Sequence, residues 1–150
     1  VSEAFRTVLL GSLALGLALG LVANRAIHLD KTSPERLILE LRLAQFSALL
    51  LVLVAGVYVG FGIAHEETAG TGFDVALAFG FFVVASAVTT WEPSMALTVL
   101  ALAWLGHSCV DLAHMMNLLP ASVVPVWYSK ACAIYDVGIA AICYFPVLRR

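Results

Sequence analysis

The sequence predicts an all-α fold, a polytopic bundle of transmembrane helices in a single domain covering residues 1–150. Three observations predict it. Only 12% of the 150 residues are charged, about half the roughly 25% usual in soluble domains. Hydrophobic residues make up 62%, and the mean hydropathy is +0.99. The apolar residues are gathered into long runs joined by short connections, the pattern of an integral membrane protein.

A spanning helix needs about 20 mainly apolar residues. Five runs meet this: 7–27, 44–64, 73–91, 95–117 and 126–148. A four-span chain, with the first run lying in the interface, is the alternative. The first run is long enough to span and no A-x-A pattern follows it, so it reads as a span and not as a cleaved signal peptide. Its Ser12, Gly16 and Gly20 recur every fourth residue, which lets another helix approach closely. That helix belongs either to this chain or to a partner, in a homo-oligomer or a larger membrane complex.

The first connection, "HLDKTSPERLILELRL", is the one strongly polar stretch. Ser33, Pro34 and Glu35 form a helix start: a capping hydroxyl, a first-turn proline and an acid at the positive helix end. The second helix is therefore expected to begin near Pro34 and to run from the interface into the membrane. "TAGTG" at 68–72 and "EPS" at 92–94 are turn signals. "NLLPASVVP" at 117–125 is apolar but broken by proline. It reads as an interfacial or re-entrant segment and a candidate lid. Trp91, Trp127 and Tyr128 fall at helix ends and are expected in the aromatic belt.

With five spans, one side of the membrane carries Arg25, Lys31, Arg36, Arg42, Arg149 and Arg150, and the other Arg6 and Lys130. The positive-inside rule then places the C-terminus in the cytoplasm and the N-terminus outside. The net charge is −2 with no basic run, so no nucleic acid is expected; the lipid bilayer is the partner the composition does imply. Cys109, Cys132 and Cys143 form no C-x-x-C pair and read as small buried hydrophobes, with no disulfide framework.

The candidate site lies in "GHSCVDLAHMM" at 106–116. His107, Asp111 and His114 are spaced i, i+4, i+7 and share one helix face. The rise of about 1.5 Å per residue puts Asp136, on the returning last helix, at the level of His107. It puts Tyr58 near the level of Asp111. His65, Glu66, Glu67 and Asp74 gather at the same end. A bare carboxylate at mid-membrane costs about 3 kcal/mol or more, so these groups must face each other or water.

Three readings suit them. Imidazole and carboxylate are ligands for a divalent metal such as zinc or iron, and His107, Asp111, His114 and Asp136 are the candidates. Two turns separate the histidines, roughly 10.5 Å along the axis, too far for one ion. One histidine would then support the other ligands or act as an acid or base. A metal-free site, with Tyr58 among its catalytic groups, is the second reading. A structural polar network is the third.

The pattern Trp104-Leu-x-His107-x-x-x-Asp111-x-x-His114, a proline-containing connection and Cys132-Ala-Ile-x-Asp136 resembles the small bacterial membrane proteins grouped as domain of unknown function 6010. The likeness covers the last third well and extends weakly to Tyr58-Val-Gly-Phe-Gly and a following glutamate. Val110 and Met115 stand where that family tends to carry an aromatic residue and a further histidine. The resemblance implies a bacterial inner-membrane protein with a polar site, and no particular reaction. Two functions remain: an enzyme acting on a lipid-soluble substrate, or a non-catalytic small subunit of a membrane complex. A transporter is disfavoured, since no inverted repeat is visible.

Overall fold

In the computed structural model, residues 3–65, 71–119 and 124–150 are described. They form five helices: α1 (Glu3–Ile27), α2 (Pro34–Ala64), α3 (Thr71–Val88), α4 (Pro93–Met115) and α5 (Val126–Leu148). No strand occurs among them. Four helices, α1, α2, α4 and α5, are long and apolar enough to cross a membrane. The apolar part of α3, Gly72–Val88, is shorter. The 18 residues of α3 rise about 27 Å, just under a hydrocarbon core of about 30 Å. The short helix is thus the third, and the first is long and apolar enough to span. Glu66, Glu67 and residues 120–123 of the candidate lid lie outside the described residues.

Successive helices pack side by side and α5 returns to α1, so the bundle closes; α2 also reaches across to α4 and α5. Directions alternate. Asp74 at the start of α3 meets His114 at the end of α4. Phe5 meets Trp127, and Gly16 faces Tyr135, so α1 and α5 run parallel.

The start of α2 is as the sequence implies: the Ser33 hydroxyl accepts from the Glu35 N–H at 3.2 Å and Pro34 occupies the first turn. With 31 residues, α2 is about 46 Å long and outruns the hydrocarbon core. Its extra turns carry a charged network. Arg36 Nε donates to Glu40 at 2.9 Å, and Arg36 Nη2 donates to the Pro146 carbonyl at 3.2 Å. Arg150 pairs with Glu40 and, at 3.0 Å, with Glu92. Lys31 Nζ donates to the Arg150 carbonyl at 2.8 Å. These bonds tie the first connection, α2, α4 and the end of α5 together at one end of the bundle. Glu92 caps α4 there, accepting from the N–H groups of Ser94 and Met95. The Ser94 hydroxyl, those N–H groups and Arg150 hold its carboxyl down at about 2.

The small-residue stripe of α1 is used inside the chain. A Cβ on Gly16 would lie 3.3 Å from the Tyr135 ring, and one on Gly20 3.8 Å from Ile142, so α5 takes this face. Leu10, Leu17 and Leu21 of α1 stay exposed, as lipid-facing residues do. Trp91 and Trp127 are exposed, but Tyr128 is buried and packs edge-on against Tyr58 and Phe61. Tyr128 is therefore core and not belt: it follows Trp127 by one position, a rotation of about 100° that turns it inward.

Candidate functional site

α4 and α5 form the most extensively packed helix pair of the bundle. The Ser108 hydroxyl donates to the Ala133 carbonyl at 3.0 Å and ties their backbones. One turn toward the charged end, the Trp104 indole N–H donates to the Ser47 hydroxyl at 2.8 Å, and Ser47 contacts Cys143 Sγ at 3.0 Å. This satisfied layer underlies the site and fixes α2 against α4 and α5.

Above it, His107 Nδ1 lies 2.8 Å from Asp136 Oδ2 and 3.5 Å from Asp111 Oδ2. Tyr58 of α2 donates its hydroxyl to Asp111 Oδ1. The same tyrosine ring packs edge-on against His107 and at a tilt against His114. Phe81 of α3 closes the remaining side of His107, with ring centroids 4.9 Å apart. Three helices thus supply the polar groups and a fourth supplies an apolar wall. The helix register behind this is simple: i, i+4 on α4 meets an antiparallel α5, and α2 passes at the same level.

Cys132 joins the group. Ligand atoms of His107, Asp111, Cys132 and Asp136 all lie within 4.8 Å of one another, and all four residues are buried. The sequence carries a signal for it: Cys132 precedes Asp136 by four residues, as His107 precedes Asp111. Two i, i+4 pairs face each other across two helices. Reading the cysteine as a small hydrophobe hid this. Cys109, by contrast, is exposed, and none of the three forms a disulfide.

His114 stands apart from this group. Its Nε2 lies 3.0 Å from Asp74 Oδ1 but without hydrogen-bond alignment, and both side chains are buried. His65 is exposed, with Nδ1 3.0 Å from the Phe61 carbonyl. His28 is exposed at the charged end, its ring nitrogen 2.7 Å from the Asn24 carbonyl.

Two carboxylate oxygens, Asp111 Oδ2 and Asp136 Oδ1, are buried with no donor reaching them. Among the described residues no lysine or arginine pairs with either aspartate, so His107 is the one group of the cluster able to carry positive charge. Buried carboxylates in an apolar bundle require a proton, a cation or further donors. One nitrogen, one sulfur and two carboxylates on two rigid helices form a donor set suited to a tetrahedral divalent metal. The donor chemistry and the two orphaned oxygens both fit such an ion. No protein-family model, curated protein or solved structure matches the chain.

Proposed function

We propose that the chain is an intramembrane metal-dependent enzyme acting on a lipid-soluble substrate, with His107, Asp111, Cys132 and Asp136 as the ligands. The observation that carries this reading is the convergence of four ligand-type side chains within 4.8 Å, with two carboxylate oxygens left unbonded. Tetrahedral ligand atoms lie roughly 3.3–3.7 Å apart, so the widest pair would close by about one ångström. Zinc or iron held by three of these four groups would keep a position open for substrate and would supply Lewis-acid chemistry there.

The surrounding residues have separate tasks. Tyr58 orients Asp111 by donating to it, as partners of ligating carboxylates do. Phe81 and Tyr58 hold the His107 ring between them. His114, beside Asp74 and against the Tyr58 ring, is the acid or base next to the ligand set. The basic residues gathered at the opposite end of the bundle support a cytoplasmic C-terminus, with the site in the outer half of a bacterial inner membrane. Membership of the domain of unknown function 6010 group is proposed on the same His, Asp and Cys positions. The accessory-subunit reading loses its best interface, because α5 already covers Gly16 and Gly20.

Metal analysis tests the reading. Protein reconstituted with zinc or iron in mild detergent, then desalted, is expected to hold close to one ion per chain. Asp111→Ala and Cys132→Ser are expected to lose it while keeping their helical content. Wild-type protein that retains no metal, or variants that retain as much as wild type, would overturn the proposal.

A further inference from the structure

An apolar groove of about 390 Å³ runs between the first halves of α1 and α5. Phe5, Leu9 and Leu13 line it from α1, and Tyr128, Cys132 and Tyr135 from α5. It is therefore the space through which one member of the four-residue cluster meets the outside of the bundle. At its mouth the Phe5 and Trp127 rings meet edge-to-face with centroids 5.2 Å apart. A second apolar groove, about 360 Å³ between α1 and α2, is lined by leucine, valine, alanine and phenylalanine alone and reaches no polar group.

Charge distinguishes the two. Arg6 and Lys130 are exposed, and both sit on the helices that frame the first groove, near its mouth. Neither has an ion-pair partner among the described residues. Every other lysine and arginine lies at the opposite end of the bundle. Among the described residues no side chain caps the start of α5, and the positive end of its helix dipole lies at the same end as the mouth.

We infer that this groove binds an anionic phospholipid of the bilayer, with one chain along α1 and α5 and its phosphate at Arg6 and Lys130. The inference rests on the reading of the cluster as a site for a lipid-soluble substrate, and it names the substrate class. Cys132 follows Lys130 by two residues, about 3 Å of helix rise. The part of the lipid presented to the cluster is therefore the junction between headgroup and chain. A volume of this size is in the range of small-molecule pockets, about 300–1,000 Å³, and its apolar walls match a hydrocarbon chain.

Trp127 reports on occupancy. The probes are vesicles of phosphatidylcholine containing equal mole fractions of either phosphatidylglycerol or phosphatidylcholine with dibrominated chains, which quench nearby tryptophan. Trp91→Phe serves as background; Trp104 is fully buried. Brominated phosphatidylglycerol is expected to compete for the Trp127 site with a preference of up to roughly 30-fold, the effect of two cations near a membrane surface. Arg6→Gln with Lys130→Gln is expected to erase that preference. Ala131→Phe, which fills the groove from an exposed position, is expected to weaken quenching by both lipids. Equal quenching by the two lipids, no quenching because another protein segment fills the groove, or a preference untouched by the double variant would overturn the inference. Metal content measured on the same wild-type samples separates the two proposals. Lipid selectivity without metal binding would sink the metal reading alone, and metal binding without selectivity would sink the groove alone.

Discussion

His107 Nδ1 on α4 and Asp136 Oδ2 on α5 lie 2.8 Å apart, with both side chains almost wholly buried. An asparagine in place of Asp136 keeps the volume and an acceptor for the imidazole, but removes the charge and the proton-binding oxygen. Asp136→Asn is therefore expected to leave the metal-free fold intact. It is expected to lower zinc affinity by more than the 10–100-fold typical of a supporting residue. Competition titration against a chelator measures this. Unchanged affinity would remove Asp136 from the ligand set.

Tyr58 makes a different contribution. Its hydroxyl donates to Asp111 while its ring packs on both His107 and His114. Phenylalanine keeps the ring and deletes the donor, so a buried carboxylate oxygen loses its partner. Tyr58→Phe is expected to cost about 1–3 kcal/mol in denaturant unfolding of the detergent-solubilised protein. A change within a few tenths would mean that Asp111 is protonated or finds another donor.

Much of this was legible in the residues. The apolar runs marked all five helices, and Ser33-Pro34-Glu35 marked the start of α2. Helix rise alone put Asp136 level with His107 and Tyr58 level with Asp111, because antiparallel straight helices keep depth in register. What stayed hidden depends on rotation and neighbours. The direction of Tyr128 turns on one residue of helical phase. The destination of the Gly16 and Gly20 face depends on which helix arrives there, and spacing carries no partner identity. Cys132 was masked by its chemistry, since a buried cysteine is usually a small hydrophobe. His114 shares a face with His107, yet Asp74 claims it from α3, an element whose start the sequence defined least.

The pair Arg36 and Glu40 illustrates a buried ion pair joined i, i+4, with side chains only 4% and 2% exposed. Arg36→Ala removes one of the two cations on Glu40 and is expected to cost about 3 kcal/mol, the lower end for breaking a buried pair, because Arg150 still reaches the carboxylate. Arg36→Met with Glu40→Leu is expected to cost much less, since both desolvation penalties vanish together. Arg150 also contacts Glu40, so the double variant leaves Arg150 with Glu92 alone. Unfolding of the single and double variants in one detergent gives the comparison. Equal losses would show that the pair is solvated.

Glycine on α1 separates packing from propensity. Gly16→Leu drives a side chain into the Tyr135 ring, whereas Gly11 has nothing within 4 Å of an added Cβ. Gly16→Leu is expected to release α1 from α5, seen as loss of the cross-link that a short bifunctional thiol reagent forms between Phe5→Cys and Trp127→Cys. Gly11→Leu is expected to retain that cross-link. Loss in both would point to an effect of helix composition and not of the contact.

Glu92 gives the pH dependence. Its carboxyl is held at about 2, against an ordinary 4.5, first by the Ser94 hydroxyl and also by the Ser94 and Met95 N–H groups and Arg150. A carboxyl depressed on folding stabilises the fold fully above its ordinary value. That contribution shrinks as pH falls from 4.5 and is gone below about 2. The side chain is 54% exposed, so solvent screening reduces the effect to about 1 kcal/mol or less, the usual worth of a helix cap. Asp30 is lowered in the same direction by the N–H and hydroxyl of Thr32, so wild-type acid sensitivity has more than one source. The difference between wild type and Glu92→Gln isolates the cap: it is expected to be largest above pH 5 and to close toward pH 2. Thermal unfolding across that range measures it, and a gap independent of pH would mean that Glu92 acts through packing and not through its charge.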